Sequence, residues 1–261
     1  MAGQKLDRAS RKALQDARTM IEGIAKSDGN EAETRRRVER IFDSVMGYDV
    51  FKHITREHAI HGVGDTEHCD FAIQLEYNES SRPVMLVELK RVNIDLVQKH
   101  LKQAASYAIN IGCEWVLLTN GREWKLYHIT YGQPPQPKLV DSWDLLNDDP
   151  VTLVEKFNVI GYKSVRKDSL ARLWEKSNVL STQNLLKAIL SEESIRLLRR
   201  GLKKATDVAV SPEDIVGGIR HLLNEAALSE MDKVKISLPA SQQGKKTVTA
   251  RGGSKRAATS A

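Results

Sequence analysis

Apolar positions along the chain follow two rhythms, and the switch between them outlines the fold. Val38, Ile41, Phe42, Val45 and Met46 stand at i, i+3, i+4, i+7 and i+8, the stripe of an amphipathic helix, and Gly47 ends it. A helix over residues 7–24 is predicted before it, with Lys26-Ser27-Asp28-Gly29-Asn30 as the break. Residues 48–60 read as extended, and Gly62-Val63-Gly64-Asp65 as a turn or loop. From Cys69 the period becomes two: Cys69, Phe71, Ile73 and Leu75 alternate with Asp70, Ala72 and Gln74. After a turn over 78–83, residues 84–90 form a second strand. Its run Val84-Met85-Leu86-Val87 is apolar on both faces, as in a strand covered on both sides. A helix is predicted over 95–111 and a strand over 115–119. Asn120-Gly121 signals a two-residue hairpin, and a strand returns over 123–129.

Beyond Gln133-Pro134-Pro135-Gln136-Pro137 the pattern is helical. Asp149-Pro150 opens one helix, and two more are expected over 182–190 and 193–204. Ser211-Pro212-Glu213-Asp214 combines an N-cap serine, a proline at the first helical position and first-turn acids. The reading is an α/β domain over 1–137, a mixed sheet flanked by helices. An all-α appendage over 138–236 and a disordered tail over 237–261 follow. The fold class is therefore α/β.

Composition changes this picture little. No apolar run approaches the ~20 residues that cross a bilayer, so no membrane partner is expected. The start, MAGQKLDRASRK, lacks the apolar segment of a secretory signal. Two cysteines without CxxC or zinc spacing fit a reduced, cytoplasmic setting. Of the net charge of +6, residues 237–261 carry +5 (Lys245, Lys246, Arg251, Lys255, Arg256), so the remainder is nearly neutral at +1. The basic tail suits solubility or loose polyanion binding; overall charge alone gives no argument for DNA.

The candidate chemistry lies at the end of the two central strands. Glu88 and Lys90 share a face while Leu89 turns into the core. If the strands are antiparallel neighbours, the start of one lies beside the end of the other, and Asp70 meets Glu88 and Lys90. Two carboxylates and an ammonium at one sheet end suit Mg²⁺ or Mn²⁺ and the charge that develops when a phosphodiester is hydrolysed. A surface ion pair at a strand end is the plainer reading of Glu88 and Lys90. The apolar run that Glu88 continues argues against it. On the following helix, Gln103 and Tyr107 are i and i+4 neighbours, beside a stripe of Val97, Leu101, Ala104, Ala108 and Ile111.

Taken in order, these residues resemble the PD-(D/E)XK nucleases, most of all the amino-terminal nuclease domain of type I restriction subunits and related type IV restriction endonucleases. The likeness covers about residues 28–130. It is carried by Glu31-x-x-Thr34-Arg35, Gly47-Tyr48-Asp49, Asp70, Glu88-Leu89-Lys90, Gln103-x-x-x-Tyr107 and the strand pair around Asn120-Gly121. Cys69 stands where the family name has proline. The resemblance implies a DNA endonuclease of restriction or defence, prokaryotic or phage-encoded, with Mg²⁺ as cofactor and Mn²⁺ able to substitute. Asp70, Glu88 and the Leu89 carbonyl would bind metal, Lys90 would serve the attacking water or developing charge, and Gln103 and Tyr107 would support the site or contact phosphate.

Glu31 would add a ligand. Seven residues separate it from Val38, which places it on the core-facing stripe, whereas Glu33 points elsewhere. A first-turn acid favoured by the helix dipole is the equal alternative. Glu57 and His68 are weaker candidates, and His58, His61 and His68 are expected in solvated loops. In the appendage, Arg196, Arg199, Arg200, Lys203 and Lys204 share one helix face opposite Ile195, Leu198 and Leu202, either a solvated surface or a DNA contact. Dimerisation through the appendage, giving a homodimer, is the other role considered. A repair or recombination nuclease and a catalytically idle DNA-binding module on the same core are the rival functions.

Overall fold

The structure, a computed structural model, describes residues 7–61, 66–76, 82–236 and 238. The turn expected at 62–65, most of that at 78–83, and all of the tail but Leu238 fall outside the described residues. The chain divides into two compact units, Met1–Asn178 and Val179–Ala261.

The first unit begins with α1 (Arg8–Lys26), whose N-cap Asp7 accepts from Ala9 N and Ser10 N and whose buried stripe is Leu14, Ala17, Ile21 and Ile24. Asn30 and Glu33 form a reciprocal capping box at the start of α2 (Glu31–Ser44), which buries Thr34, Val38, Ile41 and Phe42. The segment expected to be extended opens instead with a helical turn, α3 (Val50–His53), capped by Asp49. The strand β1 (Ile54–His61) follows it.

Then come β2 (Thr66–Ile73), β3 (Met85–Leu89), α4 (Gln98–Ile111), β4 (Trp115–Thr119), β5 (Glu123–Thr130) and β6 (Gln136–Asp144). The sheet runs β1-β2-β3-β4-β5-β6. Every pairing is antiparallel except β3 with β4, which α4 connects as a crossover. The strands predicted at 69–75 and 84–90 are the antiparallel neighbours β2 and β3, in register Phe71↔Val87, Ala72↔Leu86 and Ile73↔Met85.

Alternation along these strands feeds two cores. Phe71, Ile73, Met85, Val87 and Leu89 join Ile21, Phe42 and Trp124 on the face covered by α1 and α2. Ala72 and Leu86 join Ala104, Ala108 and Val116 beneath α4. All five residues of β3 are buried, as an apolar strand between two helical layers requires.

The expected domain boundary at residue 137 differs from the structure. Strand β6 starts at Gln136 and pairs with β5 along its length. Beyond it lie α5 (Pro150–Val159), α6 (Tyr162–Val165) and α7 (Ser169–Val179). Leu153, Phe157, Ile160, Val165 and Leu170 enter the main core, and Tyr48 Oη donates to Ile160 O at 2.8 Å. Residues 138–178 thus complete the α/β unit.

The second unit contains α8 (Thr182–Ile189), α9 (Glu192–Thr206), α10 (Pro212–Leu222) and α11 (Glu225–Met231), around a small core of Leu186, Leu190, Met231 and Val234. No helix among the described residues is long and apolar enough to cross a membrane.

Candidate active site

Three segments meet where β3 ends. One position beyond the pair Phe71↔Val87, Asp70 lies across from Glu88. Leu89 N donates to Asp70 Oδ2 at 2.8 Å, a bond from the β3 main chain to the Asp70 side chain that links the two strands at this point. Asp70 and Glu88 are both buried, the latter 3% exposed. Lys90 Nζ donates to Glu88 Oε1 at 2.6 Å. Strand alternation thus puts Leu89 in the core while Glu88 and Lys90 meet each other.

The third segment is the start of α2, held against the β3 end by the loop that follows it. Arg91 donates to the carbonyls of Gly29 and Asp28, and Asn93 Nδ2 to the Ala25 carbonyl and Asp28 Oδ1. Val92 N donates to the buried Thr34 Oγ1 at 3.2 Å. These bonds bring the first turn of α2 to the acids. Arg35 Nη2 donates to Asp70 Oδ1 at 2.5 Å and Nη1 to Glu57 Oε1 at 3.1 Å.

Thr34→Val keeps the shape of the side chain but leaves the Val92 amide buried without an acceptor. A loss of about 1–3 kcal/mol is expected, measurable by urea denaturation. Thr34→Ser should retain most of the stability, because the hydroxyl remains.

Electrostatics bind the same residues into one cluster. Burial pushes the Glu88 carboxyl up to about 6; the Lys90 hydrogen bond and charge oppose this, while Asp70 and Glu31 add to it. Lys90 is depressed by burial but raised on balance by its bond to Glu88 and by Glu88, Glu31 and Asp70. Glu31 is half-buried and its charge acts on Glu88, Lys90 and Arg35, while Glu33 is exposed and accepts from the Asn30 main-chain amide at 2.9 Å. The distinction drawn between these two acids from helical phase matches the structure.

The helix α4 differs in part from its predicted faces. Tyr107, placed beside the apolar stripe, is buried under the sheet with Ala104, Ala105 and Ala108, whereas Val97 at the N-cap is half-exposed. Gln103 is exposed, and its Nε2 donates to Tyr107 Oη at 2.8 Å, so the predicted i, i+4 pair forms. His100 from the same helix feels the charges of Lys90 and Glu31, and burial pushes its pKa down.

Arg35 is thus a site neighbour that periodicity did not single out, and His100 is another, on the α4 face that helical period gives to Gln103 and Tyr107. The motif Glu31-x-x-Thr34-Arg35 was the available signal for Arg35, one helical turn from Glu31. The histidines expected in loops sit in strands: His58 in β1, and His68 in β2 with its ring against the Glu57 carbonyl. The side chain of His61 lies outside the described residues.

Of the basic face, Arg196 is paired with Glu192 on α9. Arg200, Lys203 and Lys204 are exposed. Arg199 is half-buried, and its Nε donates to the Val210 carbonyl at 3.1 Å.

Among the described residues, no three His, Cys, Asp or Glu stand together as a ready metal cage. The donor set is Asp70 and Glu88, two buried carboxylates on adjacent strands. This fits Mg²⁺, which keeps much of its water and binds through one or two carboxylates together with substrate phosphate.

Residues 30–141 match the family described as Type I restriction enzyme R protein N terminus (HSDR_N). The resemblance read from the sequence is found again over somewhat less than half of the chain. The matched segment runs from the N-cap of α2 into β6, and it contains Glu31, Arg35, Asp70, Glu88, Lys90, Gln103 and Tyr107. A solved structure described as "cryoEM structure DrdV-DNA complex" is similar at TM-score 0.39 and 13% identity, covering 75% of this chain and 17% of that one. The chain therefore spans under a fifth of that chain's length. No curated protein matches the sequence.

Proposed function

We propose that the chain is a Mg²⁺-dependent DNA endonuclease acting in restriction or defence in a prokaryotic cytoplasm. The observation that carries this reading is the pair of buried carboxylates, Asp70 and Glu88, set beside Lys90 within the segment that matches the restriction-subunit family. A buried acid pushed up to about 6 by burial and neighbouring acids is costly for a structural strand end and suited to a cation site.

Asp70 and Glu88, with the Leu89 carbonyl, would hold Mg²⁺ or Mn²⁺, and Glu31 would add charge from α2. When bound, the cation supplies Lewis-acid polarisation of the phosphate and an activated water. Lys90 keeps a positive charge beside Glu88, where it would steady the attacking water and the charge that develops on the phosphate oxygens. Gln103, fixed on Tyr107, supports this side of the site, and its amide retains a second N–H for a phosphate oxygen. The Arg200, Lys203 and Lys204 face would add phosphate contacts that carry no sequence information.

The direct test is to incubate the full chain with supercoiled plasmid and linear duplex, modified and unmodified, in Mg²⁺, Mn²⁺ or EDTA. Nicking or linearisation of closed circles with Mg²⁺ or Mn²⁺, absent in EDTA, is expected. Digestion of free ends alone would point to the repair-type reading. Cleavage that persists in EDTA would refute the metal site.

A further inference from the structure

We infer that Arg35 is a built-in counter-cation of the acid site, held on the Asp70 oxygen that a divalent cation needs and transferred to Glu57 when the cation binds. The inference rests on the metal-site reading above and adds a regulation to it.

The geometry leaves Asp70 little choice of partners. Its Oδ2 accepts from Leu89 N, a donor fixed in the main chain at the end of β3. Oδ1 is the remaining oxygen, and Arg35 Nη2 sits on it at 2.5 Å. A metal ligated by Asp70 and Arg35 therefore contend for the same atom. Lys90 holds the corresponding place on Glu88. With both cations in place, the charges of two buried carboxylates are balanced without metal.

Arg35 is also arranged to leave. Its Nε is buried and has no hydrogen-bond partner, so its present position costs the desolvation of one donor. Its side chain is 28% exposed, and its other nitrogen already touches Glu57, whose side chain is 70% exposed. Glu57 holds a positive φ of 47° on β1, a conformation that non-glycine residues seldom adopt. The guanidinium can thus leave Asp70 and keep an acceptor at the surface. Lys90, by contrast, has Glu88 as its only hydrogen-bonded acid among the described residues.

The test uses the full chain and calorimetric titration with Mn²⁺ alone, together with thermal melts with and without Mn²⁺. Arg35→Gln should raise Mn²⁺ affinity by roughly threefold to tenfold, lower the metal-free melting temperature and enlarge the rise that Mn²⁺ produces. Arg35→Lys, which keeps a movable cation, should stay near the parent. Arg36→Gln removes the same charge from an exposed neighbouring position of α2 and should change affinity less than about twofold.

Glu57→Gln, a surface change that should fold in any case, removes the negative charge that would hold the departing guanidinium. It should weaken Mn²⁺ binding several-fold, and only while Arg35 is present. Equal affinities for parent and Arg35→Gln, or an undiminished Glu57→Gln effect in the double variant, would overturn the counter-cation role while leaving the metal site standing. Absence of Mn²⁺ binding by both parent and Arg35→Gln would sink the metal site and the inference together.

Discussion

Glu88→Gln is expected to abolish both divalent-cation binding and plasmid cleavage, whereas Lys90→Ala abolishes cleavage but keeps the cation. The two side chains touch at 2.6 Å, so a merely structural ion pair would respond similarly to the loss of either partner. A nuclease site would not. Glu88 supplies a ligand charge, and Asp70→Asn should behave like Glu88→Gln for the same reason. Lys90 supplies a positive charge that opposes the metal and is needed by the reacting phosphate, so its removal should leave Mn²⁺ affinity unchanged or raised.

Stability separates the variants again. Burial and neighbouring acids already push the Glu88 carboxyl up to about 6, so the neutral glutamine should leave the metal-free melting temperature unchanged or raised. Lys90→Ala strands a buried carboxylate and should cost up to about 3–5 kcal/mol without metal, a loss that Mn²⁺ should largely restore. The measurements are Mn²⁺ calorimetry, thermal melts and plasmid nicking on the same preparations. Undiminished nicking by Glu88→Gln or Lys90→Ala would refute the site.

Trp124→Ala should unfold much of the first unit at moderate temperature. Trp124 is fully buried, and its ring meets Phe42 of α2, Trp143 of β6 and Phe157 of α5 at centroid distances of 6.4, 6.2 and 5.1 Å. Its Nε1 donates to the Gly121 carbonyl at 2.9 Å, closing the β4–β5 hairpin. Removing the ring opens a cavity and detaches three elements from one another, for an expected cost of about 3–5 kcal/mol. Trp124→Phe should cost less, retaining most of the packing but losing the bond to Gly121.

Thermal melts of truncated chains test the boundary between the units. If 150–178 belong to the first unit, as Phe157 in its core requires, the truncation 1–178 should melt cooperatively and the truncation 1–137 should not. Independent folding of 1–137 with parent-like stability would count against the observed division.

How much of this protein was legible in its sequence follows from what side-chain pattern encodes. Helix starts at Asp7, Asn30, Asp149 and Ser211 were readable, or nearly so, because a cap acts on amides two or three residues away. The β2–β3 pairing was readable because an apolar run ending in Glu88-Leu89-Lys90 and an alternating strand beginning near Asp70 leave few ways to bury both. Helical phase separated Glu31 from Glu33 for the same local reason.

Strand β6 escaped because it is an edge strand. Most of its residues are exposed or half-exposed, and Pro137 is tolerated where one side lacks a partner, so its pattern resembles a loop. The burial of Tyr107 was decided by how broadly α4 lies on the sheet, which its own stripe does not specify. Arg35 on Asp70 joins residues 35 positions apart. That contact exists because the loop after β3 clamps the α1–α2 turn through Arg91, Val92 and Asn93. Sequence period determines which face of an element seeks burial. Which charges meet at the end of the sheet depends on the packing of whole elements against one another, and that was decided in three dimensions.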